Sequence, residues 1–194
     1  ISRLVYPSRC LDQVREQAMD IVRKVAQFVG ITTGPISMQF FYTPGQGVQV
    51  CEIAGRMFGY EHELVTLAGG MSVEQLLLDY VYDEAALKRT FQAHDPHFKC
   101  LSGGLYFHGY EGTVADVSAA EAAAKLPGVA QSIIYYQPGE TIAHGVGAKP
   151  YAARYYITAD RREALDELTR TLFGTVRMLD GEGKNLLYSN QLEQ

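Results

Sequence analysis

The residues of this chain best suited to chemistry lie on two consecutive apolar segments. Gln39 belongs to the segment 36–42, whereas Glu52 belongs to the segment 48–53, shortly before Arg56. A carboxylate that ends an apolar strand is costly to bury unless a positive group meets it. A metal ion, an arginine or water can meet that need. The function of this region depends on which of the three faces Glu52.

The two segments predict a β-hairpin. Both are rich in β-branched and aromatic residues, and the turn sequence Thr43-Pro44-Gly45-Gln46-Gly47 joins them. In the register that we expect, Phe41 pairs with Val48. Gln39 and Glu52 then become diagonal neighbours on one face, about 7–8 Å apart. The expected face holds Gln39, Phe41, Val48, Val50 and Glu52. Pairing of Phe41 with Gln49 would contradict this register.

An amide oxygen and a carboxylate on one face suit Mg²⁺, which prefers oxygen ligands and takes the rest from water and substrate phosphates. Arg56 can contact phosphate or carboxylate through two parallel hydrogen bonds. A simpler interpretation also stands, in which Gln39 and Glu52 are solvated residues of an exposed hairpin face. In that interpretation Arg56 is a surface or salt-bridging arginine.

Composition narrows the class of protein. The chain has 194 residues, a formal charge of −5 and a pI near 5.5, which disfavours a nucleic-acid partner. Three separated cysteines without a CxxC pair argue against a zinc ribbon and a disulfide framework, so we expect a reducing cytoplasm. Apolar runs are too short to predict a membrane span. Because the sequence starts at Ile1, we interpret it as a fragment, although a processed N-terminus would look the same.

Helical spacing in the first half runs from Leu11 to Phe28, with Ser8 or Asp12 as candidate caps and Gly30 as the end. After the hairpin, a helix is predicted from Met71 or Ser72 to Val81. A short helix follows within the polar residues 83–97.

The second half predicts strands at 101–107, 113–117, 129–136 and 153–158. Ser118 is expected to cap a helix over 119–126, and Asp160 one that ends at Gly174. The resulting order β-β-α-β-β-α predicts an α+β architecture, a small antiparallel or mixed sheet with helices on one face. The expected boundary between two parts lies near residues 94–100.

Other candidate residues have ordinary interpretations. Cys51 alternates with Glu52 and is interpreted as a buried, inert thiol. His94 and His97 flank Pro96, so a surface loop is favoured over a helical metal pair. The lone His108 and His144 are interpreted as structural histidines. The residues Glu61-His62-Glu63 lie in a loop that a solvated turn explains as well as a role in binding substrate does. The segment Ser102-Gly103-Gly104 is a weak signal for phosphate binding, because it does not open a helix.

Two stretches resemble the late part of an ATP-grasp domain, in the carbamoyl phosphate synthetase and amino-acid ligase branch. They are Gly34-Pro35-Ile36-Ser37-Met38-Gln39-Phe40 and Val50-Cys51-Glu52-Ile53-Ala54-Gly55-Arg56-Met57-Phe58-Gly59. In that family one strand carries Gln or Glu, and the next ends in Glu-hydrophobic-Asn-Pro-Arg or a variant. Residues 66–73 resemble the following step into a helix, and residues 101–173 resemble the extra C-terminal lobe of the same ligases.

The resemblance implies an α+β fold with the C-terminal half of an ATP-grasp domain over 1–95 and a C-terminal α+β lobe over 96–194. It implies a fragment of an ATP-dependent carboxylate–amine or carboxylate–thiol ligase that works through an acyl phosphate, with ATP and Mg²⁺ as cofactors of the full-length parent. Glu52 then corresponds to the carboxylate that bridges the magnesium ions on ATP, and Gln39 to the other metal contact. Arg56 corresponds to the arginine that holds the transferred phosphate.

The sequence also departs from the family pattern. The family's metal-binding Asn falls on Ala54, and its Pro on Gly55, so one metal is held less well or only one ion binds. The lysines and glycine-rich loop that clamp the nucleotide match no part of this chain, so a missing N-terminal lobe is an implied partner. Carboxylate and amine substrates and a homodimer are also implied. The alternative is a non-catalytic ATP-grasp-like binding or interaction module.

Overall fold

The computed structural model of the chain describes residues 2–58, 62–93 and 98–191. These residues form two compact units. The sheet unit comprises Ile1–Tyr6, Glu63–Met71 and Asp95–Gln194, whereas the hairpin unit comprises Pro7–His62 and Ser72–His94. Within the described ranges, no helix is both long enough and apolar enough to cross a membrane.

The helices and strands are numbered along the chain. The strands are β1 (Arg3–Tyr6), β2 (Ser37–Thr43), β3 (Gly47–Ala54), β4 (Leu101–Phe107), β5 (Gly112–Thr113), β6 (Val129–Ile134), β7 (Thr141–Ile142) and β8 (Ala153–Ala159). The helices are α1 (Leu11–Val29), α2 (His62–Gly69), α3 (Val73–Tyr82), α4 (Glu84–Ala93), α5 (Ser118–Ala123) and α6 (Arg162–Thr175). This mixed composition with antiparallel sheets confirms the predicted α+β class.

The hairpin unit places α1 beside the β2–β3 hairpin. The apolar residues of α1 recur every three or four positions and form one stripe along the helix, on which Val14 is buried. The helix ends at Gly30, whose φ of 76° allows the left-handed C-cap. The side chain of Gln17 on α1 accepts a hydrogen bond from the backbone amide of Val48 at 2.9 Å. This bond ties the helix to the turn end of the hairpin.

The sheet unit is built on a four-stranded antiparallel sheet in the order β1-β4-β8-β6. Alternate residues on one face, among them Leu105 and Ile157, join a core with Leu165 and Leu172 of α6. Each of these leucines is fully buried, which stabilises the fold by about 2 kcal/mol per side chain. On β4, the hydroxyl of Ser102 donates to the carbonyl of Leu64 on α2 at 2.8 Å.

Several predicted elements are confirmed, and others are wrong in instructive ways. The predicted strand 113–117 is only the two-residue β5, because the amides of Val114 and Ala115 bond to loop carbonyls of Glu140 and Leu179. Ser118 and Asp160 do not cap α5 and α6. The N-cap positions are Val117 and Arg161, which form no side-chain cap bond.

Three elements were not predicted at all, namely β1, α2 and the two-residue β7. β1 has only four residues and pairs with β4, where Val5 lies opposite Gly103. α2 begins at His62 and includes Glu63, which we expected in a loop; Glu61 lies outside the described residues. The proposed domain division at 95/96 stays a prediction. The compact units do not coincide with it, because β1 belongs to the same unit as residues after 95.

Candidate functional site

The hairpin register differs from the one expected. Phe41 pairs with Gln49, and Tyr42 pairs with Val48, so the predicted pairing of Phe41 with Val48 is wrong. The register then shifts between Gln39 and Phe40. After this shift Gln39 lies directly opposite Glu52, not diagonal to it.

The shift is a β-bulge that leaves Cys51 as the extra residue of β3, since Phe40 pairs with Val50 and Gln39 with Glu52. The pairing assigns Gln39, Phe41, Gln49 and Glu52 to the outward face, and all four are exposed. Val48 is buried, and the pairing puts Val50 on the same face as Val48. Both valines therefore lie on the face opposite to Gln39 and Glu52, whereas the sequence predicted that all four would share one face. The conclusion that Gln39 and Glu52 share a face holds, but for a different reason.

The bulge also changes the interpretation of Cys51. The residue is exposed rather than buried, and its thiol is free. Strict alternation of side chains along the strand predicted that Cys51 would face the core and that Glu52 would lie on the other face. An unpaired bulge residue does not obey that alternation, which explains why the prediction was wrong.

Arg56 meets Glu52 just after the hairpin ends. Its Nη2 lies 3.7 Å from Oε1 of Glu52, and its Nη1 donates to the carbonyl of Met57 at 3.0 Å. The side chains of Arg56 and Glu52 are 62% and 60% exposed, so the ion pair contributes little to stability. Of the three candidate partners of Glu52, which were a metal ion, an arginine and water, the structure shows the arginine. Both groups remain accessible to a ligand that carries a cation and a phosphate.

Ser37, the residue opposite Ala54, supplies a side-chain oxygen that was not among the site residues predicted from the sequence. Ser37 pairs with Ala54, two positions from the Gln39–Glu52 pair on each strand. Residues two apart on a strand share a face, so the pairing puts the Ser37 hydroxyl on the face that carries Gln39 and Glu52. This face therefore offers amide, carboxylate and hydroxyl oxygens, which fit Mg²⁺ that completes its shell with water and phosphate.

No denser ligand cluster is present in the described residues, where no group of three or more His, Cys, Asp or Glu side chains could hold a metal ion. His94 and His97 lie outside the described residues. Ser102 is buried and bonded to Leu64, so it is not open to a phosphate. Gly103 is explained by packing, because a Cβ there would lie 3.1 Å from Cγ1 of Ile157.

His62 forms a contact that the sequence did not reveal. Its Nδ1 lies 2.9 Å from Oε1 of Glu74, and its Nε2 lies 2.6 Å from the carbonyl oxygen of Phe58. The pKa of Glu74 is lowered by its backbone amide hydrogen bond and by the side chains of His62 and Ser72. Because Glu74 lies twelve residues from His62, no local pattern could have linked them.

Comparison with solved structures matches nearly the whole chain. It is 17% identical to the L-amino acid ligase of Bacillus licheniformis, with a TM-score of 0.72 over 92% of this chain and 44% of the ligase. It is 10% identical to phosphoribosylglycinamide synthetase of Anaerococcus prevotii, with a TM-score of 0.74 over 92% of this chain and 45% of the synthetase. The chain has the ATP-grasp fold. The sequence resemblance to ATP-grasp ligases is confirmed at the level of fold.

Another matched ATP-grasp structure was solved as a complex with small molecules. The biotin carboxylase domain of 2-oxoglutarate carboxylase from Hydrogenobacter thermophilus was solved with MgADP and bicarbonate. It is 15% identical, with a TM-score of 0.59 over 91% of this chain and 39% of the domain. At these identities the likeness to ATP-grasp structures establishes the fold alone.

Sequence comparisons add little about activity. No protein-family model matches the chain. An uncharacterized protein of Sinorhizobium fredii, y4rH, is 25% identical over 141 residues, which are 72% of this chain and 28% of that protein. The chain thus spans less than half the length of the ATP-grasp structures compared above and under a third of this relative.

Proposed function

We propose that this chain contributes the magnesium- and phosphate-contacting hairpin of an ATP-dependent carboxylate–amine or carboxylate–thiol ligase. One observation carries the proposal, namely that Gln39 faces Glu52 across the bulged hairpin while Arg56 lies 3.7 Å from Glu52. The ATP-grasp fold supports it. In this proposal residues 1–95 act as the C-terminal half of the ATP-grasp domain, and residues 96–194 as a C-terminal lobe.

The proposed reaction has two steps. A carboxylate oxygen of the substrate attacks the γ-phosphorus of ATP, the bond to the bridging oxygen breaks, and ADP leaves. The amine or thiol then attacks the acyl carbon of the acyl phosphate, and phosphate and a proton leave. The first step gathers negative charge around the transferred group, which the site must stabilise.

Each hairpin residue has a role in that stabilisation. Bound Mg²⁺ supplies positive charge beside the phosphates. Glu52 and Gln39 would hold the ion through their side-chain oxygens, with Ser37 on the same face. Arg56 would turn its guanidinium from Glu52 to a phosphate oxygen, an exchange that its exposed ion pair permits at little cost.

A second candidate is a non-catalytic ATP-grasp-like module. Ala54 favours it, because this residue offers no side-chain oxygen where the family has Asn. In either case we propose an N-terminal lobe outside this chain as the partner that clamps the nucleotide. The ligase proposal adds small carboxylate and amine substrates, a homodimer and a cytoplasmic location.

The test uses the full-length protein, Mg·ATP and a mixture of the standard amino acids as carboxylates and amines. We expect amino-acid-dependent ADP release, which Glu52→Gln lowers about 100-fold. The matched control is Gln49→Ala, on the same outward face of the hairpin, which should retain the wild-type rate. Equal rates in the Glu52→Gln variant and the wild type would refute the metal role. If calorimetry of the wild-type protein shows no Mg·ATP binding and the assay shows no phosphate release, the non-catalytic module is favoured.

A further inference from the structure

We propose that His62 is a positioning residue for Arg56, and that its ring acts as a doubly protonated imidazolium. This role rests on the ligase function proposed for the hairpin and adds one residue to that site. His62, Glu74, Phe58 and Arg56 all belong to the hairpin unit. The contacts that link them are therefore internal to one compact unit.

Both ring nitrogens of His62 face groups that accept hydrogen bonds and do not donate them. Nδ1 lies 2.9 Å from Oε1 of Glu74, and Nε2 lies 2.6 Å from the carbonyl oxygen of Phe58. Glu74 is ionised near neutral pH, since its pKa is lowered, chiefly by its own backbone amide. A neutral imidazole has a single N–H donor and satisfies only one of two acceptors. The arrangement therefore requires a proton on each nitrogen, and hence a positive charge on the ring.

The surroundings of the ring favour its charged form. The carboxylate of Glu74 on α3 attracts the imidazolium, and the carbonyl of Phe58, in the segment after β3, accepts a hydrogen bond from it. The Phe58 ring packs edge-on against the ring of His62, with centroids 5.1 Å apart. On α2 itself the next residue, Glu63, lies 4.0 Å from a different cation, Arg154. Because the His62 side chain is only 19% exposed, solvent screens its pairing with Glu74 less than it screens a surface pair.

The start of α3 holds Glu74 in place. Ser72 is the N-cap residue of this helix, and its hydroxyl donates to Oε2 of Glu74 at 3.1 Å and accepts from the amide of Gln75 at 3.2 Å. The N-terminus of a helix also favours a carboxylate, because the helix dipole is positive there. His62 is thus anchored to α3 through one nitrogen and holds the carbonyl of Phe58 through the other.

The carbonyl that His62 holds lies two residues after Arg56. Arg56 donates from Nη1 to the carbonyl of Met57 at 3.0 Å, and its Nη2 lies 3.7 Å from Oε1 of Glu52. Two consecutive carbonyls, those of Met57 and Phe58, therefore receive hydrogen bonds from Arg56 and from His62. Fixing Phe58 restrains the backbone from which the guanidinium reaches a phosphate. A ring that loses one proton no longer holds both acceptors, so this restraint weakens as the pH rises.

The first test observes the ring directly, by NMR of the full-length protein that carries ¹⁵N-labelled histidine, at pH 7.0. An unperturbed imidazole has a pKa of about 6.5 and is mostly neutral at this pH. We expect both nitrogens of His62 to show imidazolium shifts, in a signal identified by its loss in His62→Gln. Glu74→Gln should make the ring mostly neutral, whereas the control Glu84→Gln, at the start of α4, should not change it. A neutral ring in the wild type would overturn the proposal.

The second test asks whether the charged ring serves Arg56. In the ADP-release assay of the full-length protein, His62→Gln should lower kcat about 10-fold and change the KM for Mg·ATP less than about 2-fold, because Gln39 and Glu52 still hold the metal. Wild-type activity should fall as the pH rises through the His62 titration that NMR records, and this fall should be absent from His62→Gln. His144→Gln, in the sheet unit, is the matched control and should keep the wild-type rate and pH profile.

The outcomes separate the role of His62 from the ligase function. Glu74→Gln, which keeps the histidine, should move the fall in activity to lower pH by as much as it moves the ring titration. Wild-type ADP release that His62→Gln leaves unchanged in rate and pH profile would overturn the role of His62 alone. A wild-type protein without amino-acid-dependent ADP release would overturn both the role and the ligase function, even if the NMR spectra show a charged ring.

Discussion

Gln39 lies directly opposite Glu52 in the hairpin, and the strand register shifts at the next residue pair. The bulge places the extra residue, Cys51, beside the carboxylate that we propose as a magnesium ligand. Bulges often re-aim side chains near functional sites because they bend the strand and increase its twist. The position of this bulge therefore supports the proposed site, in addition to the types of residue present.

Ala54 provides a direct test of how well the site holds a metal. Because Ser37 faces this position, an Asn at 54 would add an amide oxygen to the end of the face where Ser37, Gln39 and Glu52 already place a hydroxyl, an amide and a carboxylate. We expect Ala54→Asn in the full-length protein to lower the Mg²⁺ concentration for half-maximal ADP release about 10-fold. The same assay with Ala54→Leu is the control for side-chain size. An unchanged Mg²⁺ requirement in the Asn variant would contradict a metal site on this face.

Gly47 should be more sensitive to substitution than Gly45. Both have positive φ, of 77° and 85°, but a Cβ on Gly47 would lie 2.4 Å from Oε1 of Gln17, whereas Gly45 has no atom within 4 Å. Gly45→Ala should cost about 1 kcal/mol of unfolding free energy from backbone strain. Gly47→Ala should cost about 1 kcal/mol more, because Gln17 must release the amide of Val48. Urea denaturation of the two variants measures the difference, and equal midpoints would disprove the role of Gln17.

The cysteines should differ in reactivity. Cys51 is exposed, whereas Cys100 is partly buried and donates its thiol to the carbonyl of Leu67 at 3.4 Å. Burial, together with the negative charge of Asp160, raises the pKa of Cys100 above its ordinary value. We expect a chromogenic disulfide reagent at pH 8 to modify Cys51 about 10-fold faster than Cys100. In a Cys10→Ser background, which removes the third free thiol, the fast phase should disappear in Cys51→Ser, and its persistence would mean that the bulge does not expose this thiol.

Glu74 should make stability depend on pH in the acid range. Its pKa is lowered from the ordinary 4.5 in the folded chain, chiefly by its backbone amide and then by His62 and Ser72. The stabilisation is therefore full above pH 4.5 and is lost as the pH falls through the lower folded pKa. Urea unfolding of the wild type and Glu74→Gln between pH 3 and 7 should give curves that converge at the acid end. Parallel curves would show that the folded chain does not favour the ionised carboxylate.

Much of the fold follows from local patterns. Repeats of apolar residues every three or four positions predicted α1, and the Pro/Gly turn between β-rich runs predicted the hairpin. β4 was predicted with its observed bounds, Leu101–Phe107. These elements are specified by residues close together in sequence, which is the information that periodicity and turn residues contain.

Other features depend on contacts distant in sequence. β1 is too short to show alternation and forms because β4 offers a free edge about a hundred residues later. The bulge at Cys51 breaks the alternation on which a register prediction depends, and no residue there marks it. Ser118 looked like a helix cap, but Asp116 instead accepts bonds from both the amide and the hydroxyl of Ser118. Such competition between local hydrogen bonds is not visible in composition.

The position of β1 in its sheet affects how the chain can fold during synthesis. Val5 must find Gly103, and the whole hairpin unit is synthesised between these two residues. Domains generally fold as units while the chain emerges, so the hairpin unit can form before the sheet unit is complete. Until then β1 has no partner strand, and a chain interrupted before β4 leaves this apolar segment exposed. The sheet unit therefore depends on a late, long-range closure that its neighbour does not require.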